Sequence, residues 1–217
     1  MRRLQLIDAT IRSIAKYGIG GTTMSTVTEF AGLSIGIVNF HFKSKQNLLD
    51  ETLVHLAREH HDHWRKSYDH SGAGAADKLL AIVDAHFHPR ICTRRKLAVW
   101  YAFYGEVSRR ARYRKLADDI DDARFDISAG LVAQIIEEGG YCGLDARSVA
   151  LTLESLYDGA LLNLLMYPGQ LTREEAAGQI YTYLAALFPR HFDMPATTRT
   201  ASPAGDGADV PDPETAR

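Results

Sequence analysis

The chain has 217 residues, a formal net charge of −2 and 46% apolar residues, which is enough apolar material for a substantial core. A molecule so close to neutral is not a general polycation, so any affinity for nucleic acid must come from local charge. The two cysteines, Cys92 and Cys142, are far apart and lack C-x-x-C spacing, which excludes a disulfide scaffold and indicates a reducing compartment.

The start of the chain shows no signal-peptide pattern, because Asp8 and Arg12 interrupt the apolar residues there. No continuous run approaches the ~18 apolar residues of a membrane span. We therefore expect a cytoplasmic protein with no membrane partner.

Helical periodicity runs through nearly the whole chain, and no alternating strand pattern occurs, so the predicted fold class is all-α with about nine helices. The first helix has apolar residues at three- and four-residue spacing: Leu4, Ile7, Ile11 and Ile14. Glycines at positions 18, 20 and 21 end it. Thr22 and Thr23 are suitable N-caps for a short second helix that Gly32 ends.

Serines begin the next two predicted helices. Ser34 precedes a third helix that runs roughly to Phe42, and Ser44 precedes a fourth. The fourth helix turns one apolar face inward, formed by Leu49, Leu53, Leu56 and Trp64. We assign residues 1–47 to a helix-turn-helix DNA-binding domain.

Residues 48–188 are predicted to form a second, helical domain. After the fourth helix it contains a helix that ends at Pro89, an aromatic-rich helix around residues 97–104 and one long helix from about residue 113 to 138. Asp145 opens the next helix, and a capping box of Thr172 with Glu175 opens the last. Residues 189–217 contain five prolines and are predicted to be a disordered tail.

The segment AGLSIGIVNFHF, from Ala31 to Phe42, has the form of a helix-turn-helix. Gly32 suits the sharp turn, while Val38 and Phe42, four residues apart, would hold the third helix on the scaffold. The remaining residues would then face the base edges in a major groove: Ile35, Gly36, Ile37, Asn39 and Phe40.

Phosphate contacts are predicted on both sides of this helix. Hydroxyl residues at helix starts, Thr22, Thr23 and Ser34, accompany free N–H groups that favour an anion. His41, Lys43 and Lys45 would contact the backbone, where they supply affinity rather than sequence choice.

Residues 3–49 resemble the TetR family of bacterial regulators. The resemblance rests on a helix followed by glycine and Thr-Thr, then AGLSIG, an aromatic pair and lysine before leucines. It implies a DNA-binding domain, a homodimer and a small-molecule effector, with residues 48–188 as the domain for effector binding and dimerisation. Asn39 stands where the family usually has tyrosine, and an asparagine can read adenine. His41-Phe42 replaces the usual Tyr-Phe pair.

A narrower resemblance is to the BetI-type repressors of glycine betaine synthesis. It rests on RRLQLIDATI and SIGIVNFHFKSKQNLLD, and on weaker similarity in AVWYAFYGEV and LYDGALLNLLMYPGQLTREEA. The resemblance implies choline or a related quaternary amine as the effector. The alternative is a TetR-type regulator of unrelated genes that binds a different apolar or aromatic ligand. We expect effector binding to move the fourth helix, which begins beside the third, DNA-contacting helix. This movement would change the separation of the two recognition helices that bind the half-sites of a palindromic operator.

Aromatic residues crowd the helix around residue 100. Trp100, Phe103 and Tyr104 share a face, and Tyr157 and Asp158 lie on a later helix. Aromatic faces with a carboxylate hold a quaternary ammonium, each face contributing ~0.5–2 kcal/mol. We predict that these five residues bind the effector. The alternative is that the aromatics are ordinary core or dimer packing.

The last two helices are apolar over wide faces, which requires more than one packing partner. In the TetR family such a pair joins two subunits into a four-helix bundle, so we predict a homodimer through these residues: Leu153, Leu156, Leu161, Leu164, Leu165, Ile180 and Leu184. Two recognition helices about one DNA turn apart, ~34–36 Å, suit a palindrome in double-stranded DNA.

Two other functions are disfavoured. His60 and His63 with Asp62 have spacing that suits a metal, but no cysteine is near, and we expect solvated or capping histidines, no metal site and no cofactor. The segment YGIGGTT lacks the third glycine and the lysine of a nucleotide loop, and no G-x-S-x-G occurs, so we do not predict an enzyme.

Overall fold

The computed structural model describes residues 1–121 and 123–194, without the side chains of residues 107, 118, 119 and 121. Over this part of the chain there are ten α-helices, one short 3-10 helix (Val107–Arg109) and no strand, which confirms the all-α prediction. The α-helices, in chain order, are α1 (Arg2–Gly21), α2 (Met24–Ala31), α3 (Ile35–His41), α4 (Lys45–Asp69), α5 (Ala75–Phe87), α6 (Arg94–Gly105), α7 (Arg110–Asp121), α8 (Ala123–Gly139), α9 (Ala146–Met166) and α10 (Arg173–Leu187).

The first three helices form a small head that packs on the start of α4. α1 is interrupted at Gly18, whose φ is 70°, and α2 ends at Gly32, whose φ is 63°. These left-handed conformations suit glycine, which has no Cβ. Val38 and Phe42 are fully buried in the head, as predicted.

A second core lies farther along α4 and is built from α5, α8, α9 and α10. It contains Trp64, Leu79, Ile135 and Leu184, all fully buried, together with Leu153. The predicted start of α9 is confirmed, because the carboxylate of Asp145 accepts a hydrogen bond from the backbone N–H of Ser148 at 2.7 Å. The capping box of Thr172 and Glu175 at the start of α10 is also present.

α4 joins the two cores, since Leu48 to Leu56 pack in the head and Trp64 packs in the second core. α6 contributes to the core of the head, where Val99 and Phe103 are fully buried and Phe103 meets Tyr113 of α7 edge to face at 4.8 Å. The domain boundary at residue 47 therefore stays a prediction.

The predicted helix from residue 113 to 138 corresponds to α7 and α8, which lie on either side of residue 122, a position outside the described residues. Tyr113 and Leu116 of α7 pack on the core of the head, whereas Leu131, Val132 and Ile135 of α8 pack in the second core. The apolar residues of this stretch therefore serve two separate cores, although their spacing suggests one continuous face.

Two other predictions need correction. Leu4 is one of the apolar residues at helical spacing in α1, but it is 56% exposed, while Leu6 is buried instead. The predicted tail begins too early, because Phe192 packs in the second core and the backbone N–H of Arg190 donates to the hydroxyl of Tyr141. The rest of the predicted tail, residues 195–217, lies outside the described residues.

Candidate DNA-binding and effector sites

The outer surface of α3 is exposed, as a DNA-reading surface must be. Asn39 is exposed and Phe40 is 83% exposed, while Ile35 is 49% exposed and Ile37 is half-buried. At Gly36 an added Cβ would meet only the Ser34 hydroxyl, at 3.9 Å, so the surface is open there. An exposed aromatic ring beside an exposed amide is a surface that suits contact with another molecule.

The two threonines before α2 have different roles. Thr23 is exposed and caps α2, its hydroxyl accepting from the N–H of Thr26 at 3.1 Å. Thr22 is fully buried, and its hydroxyl and N–H both donate to the carbonyl oxygen of Gly18. The prediction that Thr22 contacts phosphate is therefore wrong, because its donors are already used where α1 is interrupted.

The predicted phosphate-binding side chains divide in a similar way. Lys43 is exposed, and His41 is half-buried between the rings of Phe40 and Phe42. Ser34 precedes α3, although its hydroxyl makes no capping hydrogen bond. Lys45 differs, because its ammonium donates to the carbonyl oxygens of Ile19 at 2.8 Å and Gly20 at 3.3 Å. We correct its role to capping the end of α1, where carbonyl groups attract a cation.

A cavity of about 200 Å³ lies between α4, α5, α6, α7, α8 and α9. Four of the five predicted effector residues line it: Trp100, Tyr104, Tyr157 and Asp158. Its other lining residues, not predicted for this role, are Ala57, His60, His86, Ile91, Cys92, Leu97, Tyr101, Ala117, Arg124, Glu154 and Leu161.

Phe103 does not belong to this cavity, and its assignment to the effector site is wrong. α6 has two apolar faces, and Phe103 lies on the one that packs in the head. Leu97, Trp100, Tyr101 and Tyr104 form the other face at three- and four-residue spacing. The sequence therefore contained a signal for Tyr101, whose hydroxyl donates to the backbone carbonyl oxygen of Asp158 at 2.8 Å.

The charged lining residues are an ion pair and one further carboxylate. The guanidinium of Arg124 binds Glu154 through two parallel hydrogen bonds, at 2.6 and 2.7 Å. Asp158 follows Glu154 by one helical turn. Partial burial, and then the negative charge of Glu154, raise the pKa of the Asp158 carboxyl. Arg124 lies 30 residues before Glu154 in the sequence, so the sequence did not indicate that the two side chains form a pair.

A neutral imidazole forms part of the wall. His86 is buried and stacks on Tyr157, with ring centres 4.1 Å apart. Its Nδ1 lies 2.8 Å from the carbonyl oxygen of Ile82, so Nδ1 carries the proton in the neutral ring. Burial, and then the positive charge of Arg124, lower the pKa of His86 well below its ordinary value. The ring therefore adds no positive charge to the cavity at neutral pH.

The predicted metal alternative gains no support from the residues that the structure describes, which contain no cluster of three or more metal-binding side chains. The ring of His60 instead meets that of His86 edge to face, with ring centres 4.9 Å apart, and the ring centres of His63 and His88 are 4.2 Å apart. These are pairs of rings between α4 and the end of α5. They pack the two elements together.

The residues predicted for the dimer interface differ in how deeply they are buried. Leu153, Ile180 and Leu184 lie in the core of a single chain, so their assignment to a dimer surface is wrong. Leu156, Leu161, Leu164 and Leu165 are half-buried. The exposed apolar face of α9 contains other residues: Leu151, Leu162, Met166 and the adjoining Tyr167.

By length and composition α9 is the one described helix that could cross a membrane. It is not a continuous apolar run, because Glu154 and Asp158 interrupt it. The helix is also a core element, since Leu153, Tyr157 and Ala160 pack against neighbouring helices.

Two family models match the chain. Residues 6–52 match the model of bacterial regulatory proteins of the tetR family, and residues 75–189 match that of the BetI-type transcriptional repressor, C-terminal. The chain belongs to the TetR family. Its longer match, to the BetI-type C-terminal model, covers more than half of the sequence, so this member is a BetI-type transcriptional regulator.

Curated relatives agree with this assignment. The regulator BetI of Burkholderia ambifaria is 30% identical over 190 residues, which cover 86% of this chain and 94% of that protein. BetI of Paraburkholderia xenovorans is 36% identical over 119 residues; this match covers 54% of this chain and 60% of that relative.

Solved structures show the same fold. A putative transcriptional regulator from Pseudomonas aeruginosa has a TM-score of 0.74 at 25% identity, covering 88% of this chain and 93% of that one. A putative regulator from Saccharomonospora viridis, solved in complex with choline, has a TM-score of 0.73 at 20% identity, covering 84% and 94%.

Proposed function

We propose that this regulator is a homodimeric, cytoplasmic repressor that binds a palindromic operator and is released by a quaternary ammonium compound such as choline. The observation that carries the proposal is the cavity, which is lined by the aromatic rings of Trp100, Tyr101 and Tyr104 and by the carboxylate of Asp158. The choline-bound relative from Saccharomonospora viridis supports the same ligand class.

The cavity suits a cation because of its walls and its charge. Trp100, Tyr101 and Tyr104 supply three aromatic rings, and neighbouring ring centres lie 5.9 to 6.2 Å apart. Rings of this kind attract a quaternary ammonium through the negative face of the π system. Asp158 adds a carboxylate that is not needed to balance Arg124, because Arg124 is paired with Glu154.

DNA binding is assigned to α3 and its flanks. Ile35, Gly36, Asn39 and Phe40 are the exposed residues proposed to meet base edges, with Ile37 half-buried beside them. Thr23, Ser34, His41 and Lys43 are proposed to contact phosphates. Two such surfaces, one on each subunit, would read the two halves of a palindrome.

A dimer would cover the exposed apolar face of α9. Leu151, Leu162 and Met166 each leave more than two fifths of their surface exposed in the single chain. An apolar surface of this kind marks an interaction site in a soluble protein. We place the subunit interface there, with the half-buried Leu156, Leu161, Leu164 and Leu165 beside it.

The test uses the purified protein and duplexes selected from a random pool. The proposal predicts that the selected duplexes are palindromic and that choline lowers their affinity for the protein. Its neutral carbon analogue, 3,3-dimethylbutan-1-ol, should have little effect, since it has the same shape without the charge. Release by the neutral analogue at the same concentration would contradict the cation-binding role of the cavity.

A further inference from the structure

A polar contact connects the start of α4 to α7. The carboxylate of Asp50, a buried residue that is 7% exposed, accepts two hydrogen bonds from the guanidinium of Arg112: Nε donates to Oδ1 at 3.1 Å and Nη2 donates to Oδ2 at 2.5 Å. The side-chain amide of Gln46 donates to the same carboxylate at 2.8 Å and to the hydroxyl of Tyr113 at 3.2 Å. We call these four residues the α4–α7 joint.

The joint lies where a change in the angle of α4 would move the DNA-contacting surface. Asp50 is in the second turn of α4, a helix that begins at Lys45, shortly after α3 ends. On the other side of the joint, Tyr113 packs on Phe103 of α6, and Ala117, also in α7, lines the cavity. The joint therefore fixes the start of α4 relative to helices that form the cavity.

The chemistry of the joint favours a single arrangement of the two helices. A bidentate pair of guanidinium and carboxylate fixes direction as well as distance. If α4 moved away from α7, the carboxylate of Asp50 would stay buried without its cation, which is unfavourable. The side chain of Arg112 is 58% exposed and would still be solvated by water. The constraint therefore comes mainly from the buried carboxylate.

We propose that the Asp50–Arg112 pair is the positioning contact that sets the separation of the two α3 helices in the dimer. The pair holds α4, and with it α3, at one angle to the rest of the subunit, so that the dimer accepts one half-site spacing. Both residues act through α4 and not by contact with DNA. This inference rests on the proposed function, since it requires a dimer on a palindromic operator.

The test compares the selected operator with two versions that have one base pair inserted or deleted at the centre. Each change alters the half-site separation by about 3.4 Å and rotates one half-site by about a tenth of a turn. By fluorescence anisotropy, the wild-type protein should bind the selected operator at least about tenfold more tightly than either version. In Arg112→Gln this preference should fall by about threefold or more, because α3 can then adjust its position. A wild-type protein without the preference would overturn the inference.

Arg3→Gln is the matched control. Arg3 of α1 pairs with Glu51, the residue after Asp50, at 2.6 Å, but this pair lies within the head and does not reach α7. The control should retain the full preference for the selected operator. An equal loss in Arg3→Gln and Arg112→Gln would contradict the inference, because it would reflect a general loosening of the head.

The salt dependence separates positioning from direct contact with DNA. Arg112 is exposed enough to reach a phosphate, and loss of such a contact would reduce the salt slope by roughly 0.9. We expect an unchanged slope in Arg112→Gln. A reduced slope, together with an unchanged spacing preference, would make Arg112 a phosphate ligand and overturn the proposed role.

A double variant keeps the test available if Arg112→Gln does not fold. Asp50→Asn with Arg112→Gln removes both charges and leaves no unpaired buried carboxylate, and circular dichroism melts show whether it is folded. Because the two residues act as one unit, the double variant should lose the preference to the same extent as the single variant. Full preference in the folded double variant would refute the positioning role alone. Selection that yields no palindromic duplex would refute the proposed function and this inference with it.

Discussion

At the scale of single residues, Lys43 and Lys45 look equivalent in the sequence and differ in the structure. Lys43 is exposed beside α3, whereas Lys45 donates to two carbonyl groups at the end of α1. Lys43→Ala should therefore weaken operator binding about equally for all operators and reduce the salt slope by roughly 0.9, the value for one phosphate contact. Fluorescence anisotropy over a range of salt concentrations measures this slope.

Lys45→Ala is the matched variant, and it should act mainly on stability. Losing a cation at the end of a helix costs roughly 0.3–1 kcal/mol in the free energy of unfolding, which urea melts can measure. A loss of salt slope in Lys45→Ala but not in Lys43→Ala would reverse these two roles.

Trp100 tests the aromatic wall of the cavity. Trp100→Ala should lower choline affinity by roughly 2- to 30-fold, which corresponds to the ~0.5–2 kcal/mol of one cation–π contact. Tyr17→Ala, at an exposed aromatic residue on α1 and outside the cavity lining, is the control and should leave the affinity unchanged. Calorimetry on the two variants provides the comparison, and an unchanged affinity in Trp100→Ala would exclude this wall as the ligand contact.

At the scale of helices, His86 of α5 links stability to pH. Its pKa is lowered in the folded protein, so below pH ~6.5 the unfolded chain takes up a proton that the folded chain does not. The free energy of unfolding should therefore fall as the pH drops below ~6.5, by up to ~1.4 kcal/mol per pH unit, until the folded-state pKa is reached.

Urea melts at pH 7.5 and 5.5 measure this loss of stability. His86→Phe keeps an aromatic ring next to Tyr157 and cannot titrate, so the difference between the two pH values should shrink. His70→Gln, at an exposed histidine after the end of α4, should retain the full difference. An unchanged difference in His86→Phe would mean that other groups cause the pH dependence.

The exposed face of α9 should control the oligomeric state. Leu162→Glu puts a charge on the surface that we assign to the dimer interface, so this variant should be a monomer. Leu4→Glu changes a leucine that is also exposed, on α1, and should leave a dimer. Light scattering after gel filtration measures both masses, and a dimeric Leu162→Glu would place the interface elsewhere.

Sequence reasoning located most helices because their ends have local signals. Gly32, Asp145 and Thr172 with Glu175 act through their own backbone conformation or through hydrogen bonds three residues away. The packing of residues 113–138 on two different cores had no such signal. Which core each half contacts is a property of the tertiary structure.

The cavity was only partly predictable for the same reason. Trp100, Tyr104, Tyr157 and Asp158 were found from residue type and helical spacing, but Phe103 was placed on the wrong face of α6. Both faces of that helix are apolar, so periodicity alone did not decide between them. Arg124 and Glu154 are 30 residues apart, and only the packing of α8 on α9 shows that they form a pair.

At the scale of the whole molecule, α4 and α6 give the cavity a physical connection to the head. Each helix lines the cavity with some residues and packs in the head with others, such as Tyr101 and Phe103 in α6, and Trp100 contacts both. Arg112 of α7 also binds Asp50 near the start of α4, in a second contact beside the head. A ligand that shifts α6 would therefore act on the position of α3 through packed side chains.

This connection requires a reciprocal effect between ligand and DNA. If choline lowers operator affinity by some factor, the operator must lower choline affinity by the same factor, and a typical coupling is ~5- to 150-fold. The movement predicted for α4 stays a prediction, and we expect α6 to respond to the same ligand because it also lines the cavity.

The most direct test of this account is calorimetric titration of choline into the protein alone and into the protein saturated with its selected operator duplex. We expect choline to bind more weakly to the complex, by the factor with which choline weakens operator binding. Equal choline affinity in the two titrations would contradict the account, because the cavity and the DNA-binding surface would then be uncoupled.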